Sequence, residues 1–125
     1  MNIVYDAGAL VGLDKNDLDM RQYHARLNSM GVVPIVPAGV LAQAWRGGPQ
    51  ARMSRALKDA DTVDFTRADA RQVGAMLAKS GTSDVVDASC VLAAAPVGVI
   101  VTSDGDDMRH LLSSHPEYVI ELHEI

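Results

Sequence analysis

A chain of 125 residues, 48% hydrophobic and 22% charged, has the size and composition of one globular domain with a real core. No apolar run approaches the roughly 20 residues that would span a bilayer, and the start, MNIVYD, has neither a basic n-region nor a cleavage signature, so no membrane span and no signal peptide are expected. The net charge of −5 argues against a protein that grips nucleic acid mainly through a basic surface, and five aromatics (Tyr5, Tyr23, Trp45, Phe65 and Tyr118) are few for a stacking platform of the RRM or OB type.

Asn2 to Tyr5 reads as a short buried strand, ending in Asp6 and followed by a short helix. Asn16 or Asp17 can cap a second helix reaching about Met30, with Leu18, Tyr23 and Leu27 as buried positions and Gly31 just past its end. Val32 to Val36 reads as strand two. Pro37 suits the first turn of a helix carrying Val40, Leu41 and Trp45, which Gly47-Gly48-Pro49 breaks. Another helix covers Gln50 to Lys58, and Asp61 to Phe65 reads as strand three. Thr66 caps a helix to about Lys79 whose inner face would be Ala70, Val73, Met76 and Leu77. Ser83 or Asp84 opens the next helix. Gly98 to Val101 is strand four, a helix covers residues 105 to 113, and Tyr118 to Leu122 is strand five. Strands alternating with helices imply a mainly parallel sheet covered on both faces, in a single domain spanning 1–125.

The acids recur in one design. Asp6 follows strand one, Asp104 follows strand four, and Asp84 and Asp87 open the helix leading into strand four. Parallel strands bring all of these to one sheet edge, the carboxyl edge where α/β folds bind ligands. Singly, each could be a helix cap, since Asp is a favoured N-cap and gains from the helix dipole; for Asp84, Asp106 and Asp107 that reading stands level with the functional one. As a set, Asp6, Asp87 and Asp104 need more, because carboxylates a few ångströms apart repel by about 4 kcal/mol per pair at an effective dielectric near 20. A cation or a shared proton relieves this. Oxygen ligands suit a hard ion, Mg²⁺ or Mn²⁺, which can activate water and clamp a phosphate.

Other constellations fail. Asp104-Gly-Asp-Asp is no EF-hand, because Met108 and His115 stand where ligands are required. His24, His110, His115 and His123 lack paired zinc spacing and read as surface or core histidines. Gly47-Gly48 is no P-loop, and Asp6-Ala-Gly-Ala-Leu-Val-Gly is not GxGxxG. The lone Cys90 sits in the apolar run Ala88 to Ala95 and reads as core packing; with no partner for a disulfide it suits a reducing, cytoplasmic setting. A receiver domain would need an acid pair after strand one and a late lysine, and no lysine follows Lys79.

Asp6 ending strand one, Asp87 in SDVVDASCVLAA and Asp104 in VIVTSDGDDMRHL together resemble a PIN domain, and more narrowly the VapC-type toxins of bacterial toxin–antitoxin pairs. The resemblance runs from Asn2 to about Leu122, and DAxxxxAA and TSDxxDxxxL are its specific part. It implies a three-layer α/β/α sandwich around a five-stranded, mainly parallel sheet. It also implies a metal-dependent endoribonuclease of the cytoplasm, in which a Mg²⁺- or Mn²⁺-bound water attacks an RNA phosphodiester. On that pattern Asp6, Asp87 and Asp104 are the catalytic metal ligands. Asp84 and Asp107 are accessory acids, and Thr102 and Ser103 position solvent or phosphate.

The chain departs from the pattern at Gln43. The helix after strand two usually carries a glutamate there; an amide can accept from water but cannot act as a base. Asp84 is a candidate source of the missing charge. An alternative function is therefore a weakened PIN domain that binds RNA or protein without turnover. Arg52, Arg55 and Lys58 give one helix a basic face, for RNA phosphates or for an acidic antitoxin segment, and Arg46 is the further phosphate candidate. Trp45 reads as packing at a core or dimer surface. The resemblance implies a cognate antitoxin and a homodimer as partners.

Overall fold

The computed structural model describes residues 1–125. The elements are β1 (Asn2–Tyr5), α1 (Ala7–Asp14), α2 (Leu18–Ser29), β2 (Ile35–Pro37), α3 (Ala38–Ala44), α4 (Ala51–Lys58), β3 (Asp61–Val63), α5 (Arg67–Ser80), α6 (Val85–Ala94), β4 (Val97–Thr102), α7 (Gly105–Ser113) and β5 (Val119–Glu124). The five strands form one sheet in the order β3-β2-β1-β4-β5, and every pairing is parallel.

That order determines where the helices go. From β1 the chain steps outward to β2 and then β3; it then returns to β4 and steps the other way to β5. Parallel crossovers are right-handed, so the outward and return connections cover opposite faces. Accordingly α1 packs with α2, α3 and α4, while α5 packs with α6 and α7. The reversal falls between β1 and β4, making their carboxyl ends the switch point of the sheet, the place where a crevice opens in this architecture.

The middle strands are apolar on both faces, as a covered parallel sheet requires. Val4, Tyr5, Ile100 and Val101 are fully buried and join Leu10, Met20, Met53, Val91 and Met108 in one core. Tyr5 brings a hydroxyl into that core, and burial, with the Tyr23 and Asp59 charges, pushes its pKa up. Its partner is His24, whose Nδ1 lies 2.8 Å from the hydroxyl, while Nε2 lies 3.3 Å from an Asp59 oxygen. A carboxylate only accepts, so Nε2 carries the proton and the Tyr5 hydroxyl donates to Nδ1. No helix is long and apolar enough to cross a membrane.

Several expected boundaries move, each for a backbone reason. Strand two begins at Ile35 rather than Val32, because Pro34 has no N–H for a ladder. Pro37 closes β2 and serves as the N-cap of α3 rather than sitting in its first turn. Strand three stops at Val63, opposite Pro37, so Phe65 lies outside the sheet. β5 runs on to Glu124 because β4 offers partners up to Thr102. Leu18 and Ala70, expected inside, are exposed. Leu18 sits at the first position of α2, and the buried face of α5 starts one turn after Ala70, at Val73.

Candidate functional site

Asp6 continues the ladder beyond β1: its N–H donates to the Val101 carbonyl at 3.1 Å. Its side chain then turns back as the N-cap of α1, accepting the Ala9 N–H at 3.0 Å. The carboxyl is half-buried, and burial raises its pKa. The nearby Thr102 hydroxyl and the Ala9 and Gly8 N–H groups work in the opposite sense, and the Asp104 charge adds to the rise.

Asp104 is held the same way at the end of β4. It caps α7, accepting the Asp106 N–H at 3.3 Å. The fully buried Thr102 hydroxyl accepts from the Asp104 N–H at 3.1 Å and donates to its carbonyl at 3.0 Å, which locks the turn. Gly8 lets this turn approach α1. A Cβ at Gly8 would stand 1.9 Å from Ser103 Oγ and 2.7 Å from Ser103 Cβ, so only glycine permits the approach.

Asp84 and Asp87 arrive from the other face. Asp84 caps α6, accepting the Asp87 N–H at 2.9 Å. Asp87 is half-buried, and its pKa rises to about 7. Burial is the main cause, followed by the charges of Asp84, Asp107 and Asp6. A carboxyl that feels acids on α6, on α7 and at the end of β1 stands at their centre. Asp84 is thus both the cap of α6 and a charge that Asp87 feels.

Asp84, Asp87 and Asp107 line a cleft of about 240 Å³ together with Thr82, Ser83 and His110. His110, which the sequence marks only as a surface or core histidine, is a surface one that lines the acid cleft. It follows Asp107 by one helical turn, and that i,i+3 spacing was the available signal. Its Nε2 lies 3.0 Å from the Ser80 carbonyl. A carbonyl cannot donate, so Nε2 holds a proton and donates it to Ser80.

Gln43 is exposed on α3 and its side chain makes no hydrogen bond. Arg46 is turned onto its own backbone, donating to the Trp45 carbonyl at 2.9 Å. Arg52 and Arg55 are exposed on α4, and neither they nor Lys58 enters an ion pair. Asp106 is held by Arg109, which also binds Glu124, so it is paired apart from the other acids. Cys90 is fully buried and burial pushes its thiol well up, as suits a residue packed in the core.

No three His, Cys, Asp or Glu side chains stand within reach of a common metal ion. Asp6, Asp84 and Asp104 are each turned toward helix N–H groups instead. Still, the donor set is hard oxygen, open to solvent on the Asp84, Asp104 and Asp107 side, and crowded enough to hold Asp87 near neutrality. Those properties fit a hard divalent cation.

No family model matches the chain, and no curated protein does. Solved structures do. A chain of VapBC2 from Rickettsia felis, determined bound to a DNA fragment from their promoter, superposes with a TM-score of 0.70 at 13% identity, covering 99% of this chain and 100% of that one. The chain shares its fold. PAE2754 from Pyrobaculum aerophilum superposes with a TM-score of 0.60 at 17% identity, covering 96% and 90%. Both alignments run essentially end to end, so the likeness takes in the whole sheet and its switch point. The α/β architecture expected from the strand–helix alternation stands, with a sheet that is wholly rather than mainly parallel.

Proposed function

We propose that this chain is a divalent-metal-dependent endoribonuclease and the toxin of a VapBC-type toxin–antitoxin pair. One observation carries the reading. Half-buried Asp87 is held near neutrality, beyond its burial, by the charges of Asp84, Asp107 and Asp6, at the switch point of a fold shared with VapBC2. Such crowding costs stability unless a cation or a proton joins it, and above pH 7 a cation is the remaining relief.

Asp6, Asp87 and Asp104 would hold Mg²⁺ or Mn²⁺, with Asp84 and Asp107 as accessory acids. The ion supplies a water of lowered pKa and neutralises charge on a phosphate. Thr102 keeps the Asp104 turn rigid, and Ser103, exposed beside Gly8, is placed to meet solvent or phosphate. The unpaired Arg52 and Arg55, with Arg46, would draw an RNA backbone toward the edge. A cognate antitoxin and a second copy of the chain are the expected partners. The apolar cleft formed by Leu41, Ala42, Trp45 and Leu57, beside the cations of α4, suits an acidic amphipathic segment of the former. The reading implies a cytoplasmic protein.

The test is cleavage of a labelled RNA pool with and without Mg²⁺ or Mn²⁺. Activity should require the ion and should fall at least a hundredfold in Asp6→Asn and in Asp104→Asn, roughly the loss expected when a metal-activated water is removed. Cleavage that survives both substitutions would show a contaminating nuclease. Gln43 favours a second reading, a PIN domain that binds RNA or protein without turnover. Metal-dependent RNA binding with no cleavage, restored to cleavage by Gln43→Glu, would select it.

A further inference from the structure

Two clefts open at the carboxyl ends of β2 and β3, and Ala38 lines both. The larger, about 360 Å³, is apolar throughout and contains Trp45. The smaller, about 180 Å³, lies on the α5–α6 side. Phe65, Leu92 and Ala93 wall it, while Asp64 and Ser89 supply polar atoms. At about 30 Å³ per water, it has room for about six waters, the scale of one planar base. Phe65 is 42% exposed, although it is one of only five aromatics in the chain.

We propose that this smaller cleft seats one base of a single-stranded RNA, stacked on Phe65 and hydrogen-bonded through its amine to Asp64. The proposal rests on the ribonuclease reading and adds to it a base preference.

Position is the first argument. β3 is two strands from β1, so at about 4.8 Å per strand the cleft stands roughly 5–10 Å from the end of β1, where Asp6 lies. At about 3.4 Å per stacked nucleotide, that is within three nucleotides of the acids. Ser89 sits on α6 two residues after Asp87, so one helix carries both the cleft and the cluster.

Polarity is the second. Asp64 makes no hydrogen bond and no ion pair within the protein, so both of its oxygens remain free to accept. Ser89 Oγ spends its proton on the Val86 carbonyl at 2.7 Å, leaving lone pairs only. Asp69, at the rim, already accepts the Thr66 N–H at 3.1 Å. The cleft therefore offers acceptors and no side-chain donor. Cytosine, adenine and guanine present an exocyclic amine to such a rim, whereas the one donor of uracil, N3–H, lies between two carbonyls that would face the carboxylate oxygens. A carboxylate also repels backbone phosphate, so recognition must come through the base. The larger cleft has no acceptor side chain and could not make this distinction.

The test is titration of the metal-free protein with CMP, AMP, GMP and UMP, followed by amide NMR, alongside cleavage of a random RNA pool in Mg²⁺. CMP, AMP or GMP should shift Asp64, Phe65 and Ser89 while UMP does not. Phe65→Ala should weaken binding roughly tenfold, the scale of one base–aromatic stack, and Phe65→Tyr should preserve it. Asp64→Asn, which adds a donor, should admit UMP. Cleavage products should show the same preference within three nucleotides of the cut and lose it in Phe65→Ala. Binding with this selectivity but no cleavage would support the base site and sink the ribonuclease reading. Cleavage whose rate and base preference are untouched by Phe65→Ala would overturn the base site and leave that reading intact. Loss of a protein partner from Phe65→Ala, with nucleotide binding absent, would assign the cleft to protein and overturn the proposal.

Discussion

The carboxylate of Asp84 accepts the backbone N–H of Asp87 at 2.9 Å while its charge, after burial, helps hold the Asp87 side chain near pKa 7. One acid thus stabilises the start of α6 and disfavours ionisation of its neighbour. The two effects act through different groups, the Asp87 N–H and the Asp87 carboxyl, so they can be separated by experiment.

Stability should depend on pH through Asp87. Its folded pKa of about 7 lies above the ordinary value near 3.8. Between those values the folded state binds the proton and the unfolded state does not. The stabilisation is therefore complete below about pH 4 and lost as pH rises through 7. Allowing for solvent screening of a half-exposed group, about 1 kcal/mol is at stake, or roughly 4 °C for a domain of this length. Without divalent ions, Asp87→Asn should flatten the difference in melting temperature between pH 5 and pH 8. Adding Mn²⁺ at pH 8 should raise the melting temperature of the wild type more than that of the variant. Equal pH slopes in the two proteins would contradict the environment described for Asp87.

Gly8 and Ser103 should behave as a coupled pair. Gly8→Ala places a methyl against Ser103 Oγ and Cβ, separating α1 from the β4–α7 turn and so Asp6 from Asp104. Overpacking of this kind costs about 1–3 kcal/mol. Ser103→Gly removes both clashing atoms, so the double variant should recover most of the loss in urea unfolding. Purely additive effects would mean the approach is not tight.

Tyr5→Phe should cost more than a surface hydroxyl. It leaves His24 Nδ1 facing the core without a donor, a penalty of about 1–3 kcal/mol. Replacing His24 as well should not add the full cost of the second change, because the partners share one interaction. Denaturant midpoints of the two single variants and the double variant measure this.

Helix α4 has no side-chain cap of its own; its N-cap residue Gln50 instead bonds the Ala44 carbonyl and the Arg46 N–H. The Met53 N–H reaches Asp14 at the end of α1, at 3.5 Å. Asp14→Ala should therefore destabilise by about 0.5–1 kcal/mol, the low end for a lost cap because the bond is long. Amide exchange should speed up at Met53 more than in α5, whose capping box is intact.

The elements and the acids were legible because their causes are local. Each of Asp6, Asp84 and Asp104 caps a helix that starts at the next residue, so the acid-then-helix pattern announces itself over a few positions. Thr66 and Asp69 form a capping box for the same reason. The misjudged positions depended on a neighbour. Phe65 left strand three because β2 runs out at Pro37, and no property of Asp61 to Phe65 carries that information. Ala70 has too little side chain to mark a face.

What the sequence alone determined is the alternation of strands and helices, the apolar middle strands and the delivery of acids to one sheet edge, all consequences of periodicity and capping within a single turn or strand. What only the tertiary structure decided is which strands are neighbours, that the reversal falls between β1 and β4, and that Asp87 rather than Asp6 stands among the most charges. It also decided that His24 joins Tyr5 to Asp59, that Asp14 caps a helix 39 positions away, and that Phe65 faces solvent beside an acceptor-only cleft. Those relationships join residues far apart in the chain. Long-range packing brings them together, and packing leaves no local pattern to read.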